Sequence, residues 1–147
     1  MTKVLKKYPD AKFLEAIGFT STGQWISNPN YLDKINVVFA IADGADAVMI
    51  DSVDFAEFSE PYKLGEPYLG CRSVDFVNIK MHSDEAVQLK EKAGYKEPFN
   101  GMLLFHPLNA VTKNPVFMFC NQNSYIFVDT VTKEVSKQTL RSLIEKL

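Results

Sequence analysis

The chain has little cysteine and no long apolar run, and each scarcity excludes a class of protein. Its 147 residues include two cysteines, Cys71 and Cys120, and neither lies in a C-x-x-C pair. Two isolated thiols do not make a disulfide framework, so we expect free thiols in a reducing cytoplasm. No run approaches the roughly 20 apolar residues that span a bilayer, and no apolar signal core follows the basic N-terminus. We therefore expect a cytoplasmic protein without a membrane partner.

Basic charge is also scarce. The 16 Lys and Arg are outnumbered by 18 Asp and Glu, and only Arg72 and Arg141 are arginine. Nucleic-acid binding normally leaves a basic excess, so we expect no nucleic-acid partner. A preference for Lys over Arg, with abundant Asn, Phe, Ile and Tyr, is typical of AT-rich genomes such as those of phages or low-GC bacteria.

What is present is ordinary for a globular chain, with 46% hydrophobic and 23% charged residues. The length predicts one domain over residues 1–147, which needs no metal or disulfide because it buries about 68% of its unfolded surface. The 11 Phe and 6 Tyr should supply much of the core, and the single Trp25 is expected to be a core or half-buried anchor. We find no internal repeat, linker, Walker loop or dinucleotide glycine fingerprint, and we expect no cofactor.

The strongest strand pattern is Pro115–Val131. Two apolar runs, Val116–Cys120 and Tyr125–Val128, flank the polar residues 121–124. Aromatic and β-branched side chains suit a pleated surface, and Asn tolerates the backbone angles of tight turns. A buried helix is the alternative, but each run is too short for one. The pattern predicts a hairpin at or near the centre of an antiparallel sheet.

A second hairpin is predicted around Asp43-Gly44, a strong turn signal between the apolar runs 35–42 and 47–53. The alanines in this segment leave open a helix over Val37–Ala42. Further strands are predicted over 24–26, 72–81 and 102–106.

Three segments have helical patterns. Residues 9–19 have Pro near the start and Phe13, Leu14 and Ile17 at helical spacing. Residues 83–94 begin with Ser83 as a predicted N-cap, and residues 136–147 carry an apolar stripe. Because the strands cluster instead of alternating with helices, we predict an α+β fold. Its single domain would be a mostly antiparallel sheet of about five to seven strands, packed by about three helices.

The clearest charge asymmetry is acidic. Residues 43–60 contain six acids, and no Lys or Arg lies between Lys34 and Lys63. The loop 61–70 follows, rich in Pro, Gly and Tyr, and long loops are often functional. The first hypothesis is a soluble, non-enzymatic interaction or accessory protein, inhibitor- or immunity-like, that binds a protein partner through this acidic-aromatic surface. Its residues would be Asp51, Asp54, Phe55, Phe58, Tyr62 and Tyr68. The plainer interpretation is a solvated edge beside an ordinary loop.

The second hypothesis is a small enzyme or anionic-ligand-binding domain whose pocket combines Cys71, Arg72, His82 and His106. Arg72 would hold an anion and lower the pKa of the neighbouring thiol. No other catalytic residue is assigned, so an enzyme is the less favoured class. No metal is expected either, because the two histidines lack metal-binding spacing and Asp43-Gly44-Ala45-Asp46 breaks the register of a calcium loop. The oligomeric state is not predicted.

Overall fold

The computed structural model describes residues 2–54, 57–69, 71–75, 78–108 and 112–138, and β-strands are the main regular structure within them. Within these ranges, no helix is both long enough and apolar enough to cross a membrane. The elements in chain order are α1 (Thr2–Lys7), β1 (Lys12–Phe19), β2 (Lys34–Ile41), β3 (Asp46–Asp54), β4 (Glu57–Phe58), β5 (Tyr62–Lys63), β6 (Cys71–Arg72), α2 (Ser83–Lys92), β7 (Phe99–Pro107), β8 (Val116–Asn121), β9 (Tyr125–Asp129) and β10 (Val135–Gln138).

The fold class predicted from the sequence is wrong. We predicted α+β with five to seven strands and about three helices, whereas the described residues form ten strands and two α-helices, and only α2 exceeds six residues. The segment 9–19 forms β1 instead of a helix. Residues 136–138 belong to β10 instead of a helix, and residues 139–147 lie outside the described ranges. The helix predicted over 83–94 is confirmed as α2.

Tertiary pairing explains why β1 is a strand. It pairs on one side with β2 and on the other with β7, so that Ala16 faces both Val37 and Leu104. Phe13 and Leu14, which the helical spacing placed together, are both buried but belong to separate apolar clusters. Long-range strand pairing and burial on two faces outweigh a weak local helical preference.

The strands form one antiparallel sheet in the order β10-β9-β8-β7-β1-β2-β3-β4, with β5 paired to β3 and β6 to β7. Both predicted hairpins form, as β8–β9 and β2–β3, but β8–β9 lies next to the edge strand β10 and not at the predicted centre of the sheet, which is β7–β1. The helix considered for Val37–Ala42 is excluded, because this segment belongs to β2 up to Ile41. In the β2–β3 turn Asp43 and Gly44 have φ angles of 54° and 90°, the left-handed region that Asp-Gly accommodates.

The chain order contains two similar runs, each a helix followed by an antiparallel meander. The first run is α1 with β1, β2 and β3, and the second is α2 with β7, β8, β9 and β10. The first strands of the two runs, β1 and β7, pair with each other at the middle of the sheet. The sequence showed no repeat, so this similarity is one of element order.

Both helices pack on the same face of the sheet, which we name the first face. Val4 of α1 and Ala86 and Val87 of α2 belong to one buried cluster with first-face strand residues. These strand residues include Phe13, Phe39, Val48, Ile50, Phe99, Leu104, Phe117, Phe119, Ile126 and Val128. The first face is therefore the main hydrophobic core.

One charged side chain lies inside that core. Lys90 of α2 is only 1% exposed, and its ammonium donates to the backbone carbonyl of Tyr95 at 2.7 Å. The same ammonium lies 5.5 Å from the ring centre of Phe99 and 5.6 Å from that of Phe119. Burial lowers the pKa of Lys90, and these contacts compensate for the water the ammonium loses.

Alternate side chains along each strand point to the opposite side, the second face. Near the β2–β3 turn this face has a small buried cluster of Leu14, Val38 and Ala47. Farther along, Ile17, Leu103, Met118 and Phe127 are cross-strand neighbours in one row. All four are half-buried, and neither helix of the described ranges contributes to the buried cluster on this side.

Smaller predictions also need correction. The strand predicted over 72–81 is only β6, with residues 76–77 outside the described ranges, and the loop 61–70 contains β5. The N-cap of α2 is His82 and not Ser83. Trp25 is 41% exposed, so of its two predicted positions the core is excluded and a partly buried anchor remains.

The two faces should differ in the energetic cost of removing a phenylalanine. Phe119→Ala on the first face should lower the free energy of unfolding by about 3–5 kcal/mol, because the ring is fully buried. Phe127→Ala, one strand away on the second face, should cost about half of that or less, because its ring is only half-buried. Urea unfolding of both variants checks this, and equal losses would contradict the assignment of faces.

Candidate functional site

A segment running from β5 to β6 crosses one end of the second face, and we call residues 64–69 and 71–72 the crossing segment. At its start the Leu64 N–H donates to the Ala47 carbonyl at 2.9 Å. At its end Cys71 and Arg72 pair with Pro107 and His106 of β7. The segment is thus anchored to strands on both sides of β1 and β2.

Under the crossing segment lies a buried carboxyl group. The Tyr68 hydroxyl donates a hydrogen bond to Oε2 of Glu15, a buried residue of β1. Burial raises the pKa of Glu15, although the hydrogen bond from Tyr68 opposes this effect. Burial and the neighbouring carboxylate raise the pKa of Tyr68 as well. The pair holds the crossing segment on the sheet, since each polar group satisfies the other.

Cys71 lies beside this pair and is a poor nucleophile. Burial, with a smaller effect from Glu15, raises the pKa of the Cys71 thiol to about 11. The thiolate is the reactive form, so this environment suppresses thiol chemistry at neutral pH. A cavity of about 350 Å³ opens next to it, lined partly by Asp10, Lys12 and Asp43. Its mixed charges do not select one class of ligand.

A second cluster of polar side chains surrounds Asp51 on β3. The Tyr62 hydroxyl donates to Oδ2 of Asp51 at 2.7 Å and lies 2.9 Å from the Met49 sulfur. With its amide oriented to satisfy both groups, Asn36 donates to Oδ1 of Asp51 at 3.0 Å. Asp51 is therefore fixed on the second face with an exposed tyrosine beside it.

The predicted partner-binding residues are only partly brought together. Asp51 and Tyr62 touch, and Tyr68 lies on the same face of the sheet but is engaged by Glu15. Phe58 is half-buried against the first-face core, on the opposite side of the sheet from Asp51 and Tyr62. Asp54 pairs with Glu57 through the backbone, and Phe55 lies outside the described residues.

The four residues of the second hypothesis do not converge on one concave site. Arg72 and His106 are direct cross-strand neighbours, but alternation points the adjacent Cys71 to the other face. Cys71 packs with the second-face cluster, whereas His82 caps α2 and is exposed. The His106 Nε2 lies 3.3 Å from the Thr112 carbonyl. No three His, Cys, Asp or Glu residues of the described ranges are grouped as a metal site would require.

Sequence reasoning missed a polar groove around the only tryptophan. Trp25 is a wall shared by two clefts of about 320 and 450 Å³. The smaller cleft includes Glu97, Pro98, Asn121, Gln122, Asn123, Ser124 and Lys137. The larger includes Thr20, Thr22, Gln24, Ile26, Ser27, Tyr31 and Asp33. The sequence feature that could have indicated this groove is a tryptophan within a turn-rich, polar segment.

Asn121 at the base of the smaller cleft has an unmet acceptor. Its Nδ2 donates to Oε2 of Glu97 at 3.1 Å. Its Oδ1 is buried and has no hydrogen-bond partner among the described residues. Such an atom destabilises a fold by about 1–3 kcal/mol, so its retention needs an explanation.

Comparison with known proteins adds a fold but no function. No protein-family model matches the chain, and no curated protein is significantly similar to it. A crystal structure described as a putative lipoprotein from Clostridium difficile 630 is similar, with a TM-score of 0.56 and 13% identity. The match covers 93% of this chain and 89% of that chain. At this identity the likeness concerns the fold alone.

The buried Glu15 predicts a distinct pH dependence of stability. Because the folded chain raises the pKa of Glu15 above its ordinary 4.5, it binds this proton more tightly than the unfolded chain does. The free energy of unfolding should therefore fall as pH rises through the window that starts near 4.5. Glu15→Gln should lack this part of the slope, because glutamine does not titrate. The variant should still fold, since its amide oxygen can accept the hydrogen bond from Tyr68. Urea unfolding at several pH values across this range checks the prediction, with Glu66→Gln as an exposed control. An equal dependence of the free energy of unfolding on pH in Glu15→Gln and wild type would contradict it.

Thiol labelling tests the environment of Cys71. In a Cys120→Ser background, iodoacetamide should label Cys71 at neutral pH at least about tenfold more slowly than the urea-unfolded chain, because the folded thiol is less ionised and partly shielded. The rate should keep rising with pH beyond the ordinary thiol pKa. Labelling faster than in the unfolded chain would instead indicate an activated thiol.

Proposed function

We propose that this chain is a non-enzymatic protein-binding module, and that the second face of its sheet is the docking surface for a basic protein partner. The single observation that carries the proposal is the half-buried apolar row Ile17, Leu103, Met118 and Phe127. Both α-helices of the described ranges pack on the first face and leave this row without a helical cover.

The chemistry of the row suits a protein surface. Contiguous apolar side chains on a flat face are uncommon on proteins that do not use them for contacts. Phe105 extends the row by one position beside Glu15, and its ring is also half-buried. Large apolar side chains at the centre of an interface supply most of its binding energy.

The charges at the border of the second face indicate the sign of the charge that a partner would carry. Asp51 lies on the second face and Tyr62 next to it, while Val53 on the same strand is 62% exposed. Glu57 is exposed nearby, whereas Glu60 is paired with Lys3 of α1, whose ammonium lies 3.5 Å from Oε1 of Glu60, and Lys63 is also exposed at this edge. Asp51 and Glu57 place negative charge at one edge beside the apolar row, which favours a partner with basic residues beside an apolar patch and speeds their encounter.

The plainer interpretation of the acidic segment, a solvated edge, fits Glu57 and Glu60 but not the fixed pair Asp51 and Tyr62. The enzyme alternative lacks geometric support, because Cys71, Arg72, His82 and His106 do not meet and the thiol is suppressed.

The proposal is tested by placing one negative charge on each face. Met118→Glu should abolish capture of a specific partner from cells of the source organism, whereas Gln88→Glu on the exposed side of α2 should not. With the captured protein purified, Met118→Glu should weaken binding at least about a hundredfold, since a charge would be buried without a partner. Asp51→Asn should slow association about tenfold or less, with a weaker salt dependence.

Three outcomes would overturn the proposal. The first is a partner that binds Met118→Glu and wild type equally, and the second is an acidic partner. The third comes from a chain ending at Gln138. If removing residues 139–147 strengthens binding at least about tenfold, the chain's own end competes with the partner for this face. Thermal unfolding shows whether Met118→Glu folds, and Asp51→Asn with Tyr62→Ala replaces it if it does not.

A further inference from the structure

We propose a second binding site, distinct from the docking face, in which the groove around Trp25 binds a neutral carbohydrate. The inference goes beyond the proposed function because its ligand is a small polyhydroxylated molecule and not a protein. It rests on two exposed aromatic rings, a buried acceptor without a partner, and a set of short polar side chains that line two adjoining clefts.

The aromatic rings provide the stacking surfaces. Trp25 is 41% exposed and forms a wall of both clefts, and Tyr31 in the larger cleft is 70% exposed. The face of an aromatic ring is electron-rich, and the C–H groups on one side of a sugar ring carry small positive charges. An exposed ring beside polar groups is therefore suited to a ligand that is apolar on its faces and polar on its edges.

The smaller cleft supplies acceptors for sugar hydroxyls. Oδ1 of Asn121 is the only buried described side-chain atom without a hydrogen-bond partner, and the residue is 8% exposed. Glu97 is held next to it by the 3.1 Å bond from Asn121 Nδ2. Gln122 and Asn123 are exposed amides that both donate and accept. Oδ1 itself has no surface in the cleft, so the Asn121 amide has to shift toward the cleft before Oδ1 can accept from a sugar hydroxyl.

The larger cleft carries a carboxylate that is fixed in place. The Ser21 N–H donates to Oδ1 of Asp33 at 2.7 Å, and the Ser21 hydroxyl donates to Oδ2. These bonds from Ser21 hold the pKa of Asp33 below its usual value, so it stays an acceptor. Fixed carboxylates that accept from paired hydroxyls give a site its orientation, while the rings give it contact area.

The charges of the groove favour a neutral ligand. An anion would meet Glu97 in one cleft and Asp33 in the other. A cation would meet the Lys137 ammonium in the same cleft as the unmet acceptor. A sugar avoids both repulsions and uses hydroxyls, which donate to carboxylates and accept from amides.

The test uses Trp25 as its own reporter, since it is the only tryptophan of the chain. The full-length protein is titrated with maltose, cellobiose, chitobiose and N-acetylglucosamine while tryptophan emission is recorded. At least one sugar should shift the emission in a saturable way. Glu97→Gln should weaken that sugar about tenfold, because it loses a charge-assisted hydrogen bond. Glu134→Gln, an exposed control on another loop, should bind like wild type.

Titration calorimetry measures sugar binding to variants that lack the tryptophan fluorophore. Trp25→Ala should remove the heat of binding, whereas Trp25→Phe should retain part of it because a ring remains. The proposal is overturned if no sugar gives a saturable shift, or if Glu97→Gln and Trp25→Ala bind like wild type. It is equally overturned if a proline-rich peptide binds at Trp25 and the sugars do not compete with it.

Discussion

The pairing of β1 with β7 is the contact on which the rest of the structure depends. Each strand opens one helix-and-meander run, and their antiparallel register, from Glu15 with Phe105 to Phe19 with Gly101, joins the two runs into one sheet. Without this pairing each run would be a small meander with one helix, too small to bury a core of this size.

The same pairing determines what each face does. Because both runs carry their helix to the same side, the first face receives two helices and becomes the core around Phe39, Phe99 and Phe119. Among the described residues, the second face receives only the crossing segment, which covers Leu14 and Val38 at one end. The half-buried apolar side chains along β7, β8 and β9 have no helical cover within the same ranges. The docking proposal follows from this asymmetry.

Sequence patterns predicted the strands that are joined by local turns. They failed where the secondary structure of a segment depends on pairing with strands that are distant in the chain. The two hairpins were recognised because Asp43-Gly44 and the polar residues 121–124 interrupt strong apolar runs. β1 was assigned to a helix because Phe13, Leu14 and Ile17 have helical spacing, and its partners Val37 and Leu104 are far away in the chain. β10 was missed because four residues gain strand structure only by pairing with β9.

The candidate sites show a similar division. The acidic segment and the loop after it drew attention to Asp51 and Tyr62, which touch, but local sequence could not show that Phe58 turns to the other face. The continuous apolar run Val116–Cys120 makes both sides of β8 apolar, and the described helices cover only one of these sides. The Trp25 groove combines residues from four separate segments, so composition alone could not reveal it.

The central claim, that helices seal one face as a core and that the described residues leave the other face without a helical cover, is tested most directly by methyl NMR with a soluble gadolinium chelate. The account predicts strong relaxation enhancement for the methyl groups of Ile17, Leu103 and Met118, and little for those of Val48, Ile50 and Ile126. Equal protection of both sets would show that the second face is covered and would contradict the account.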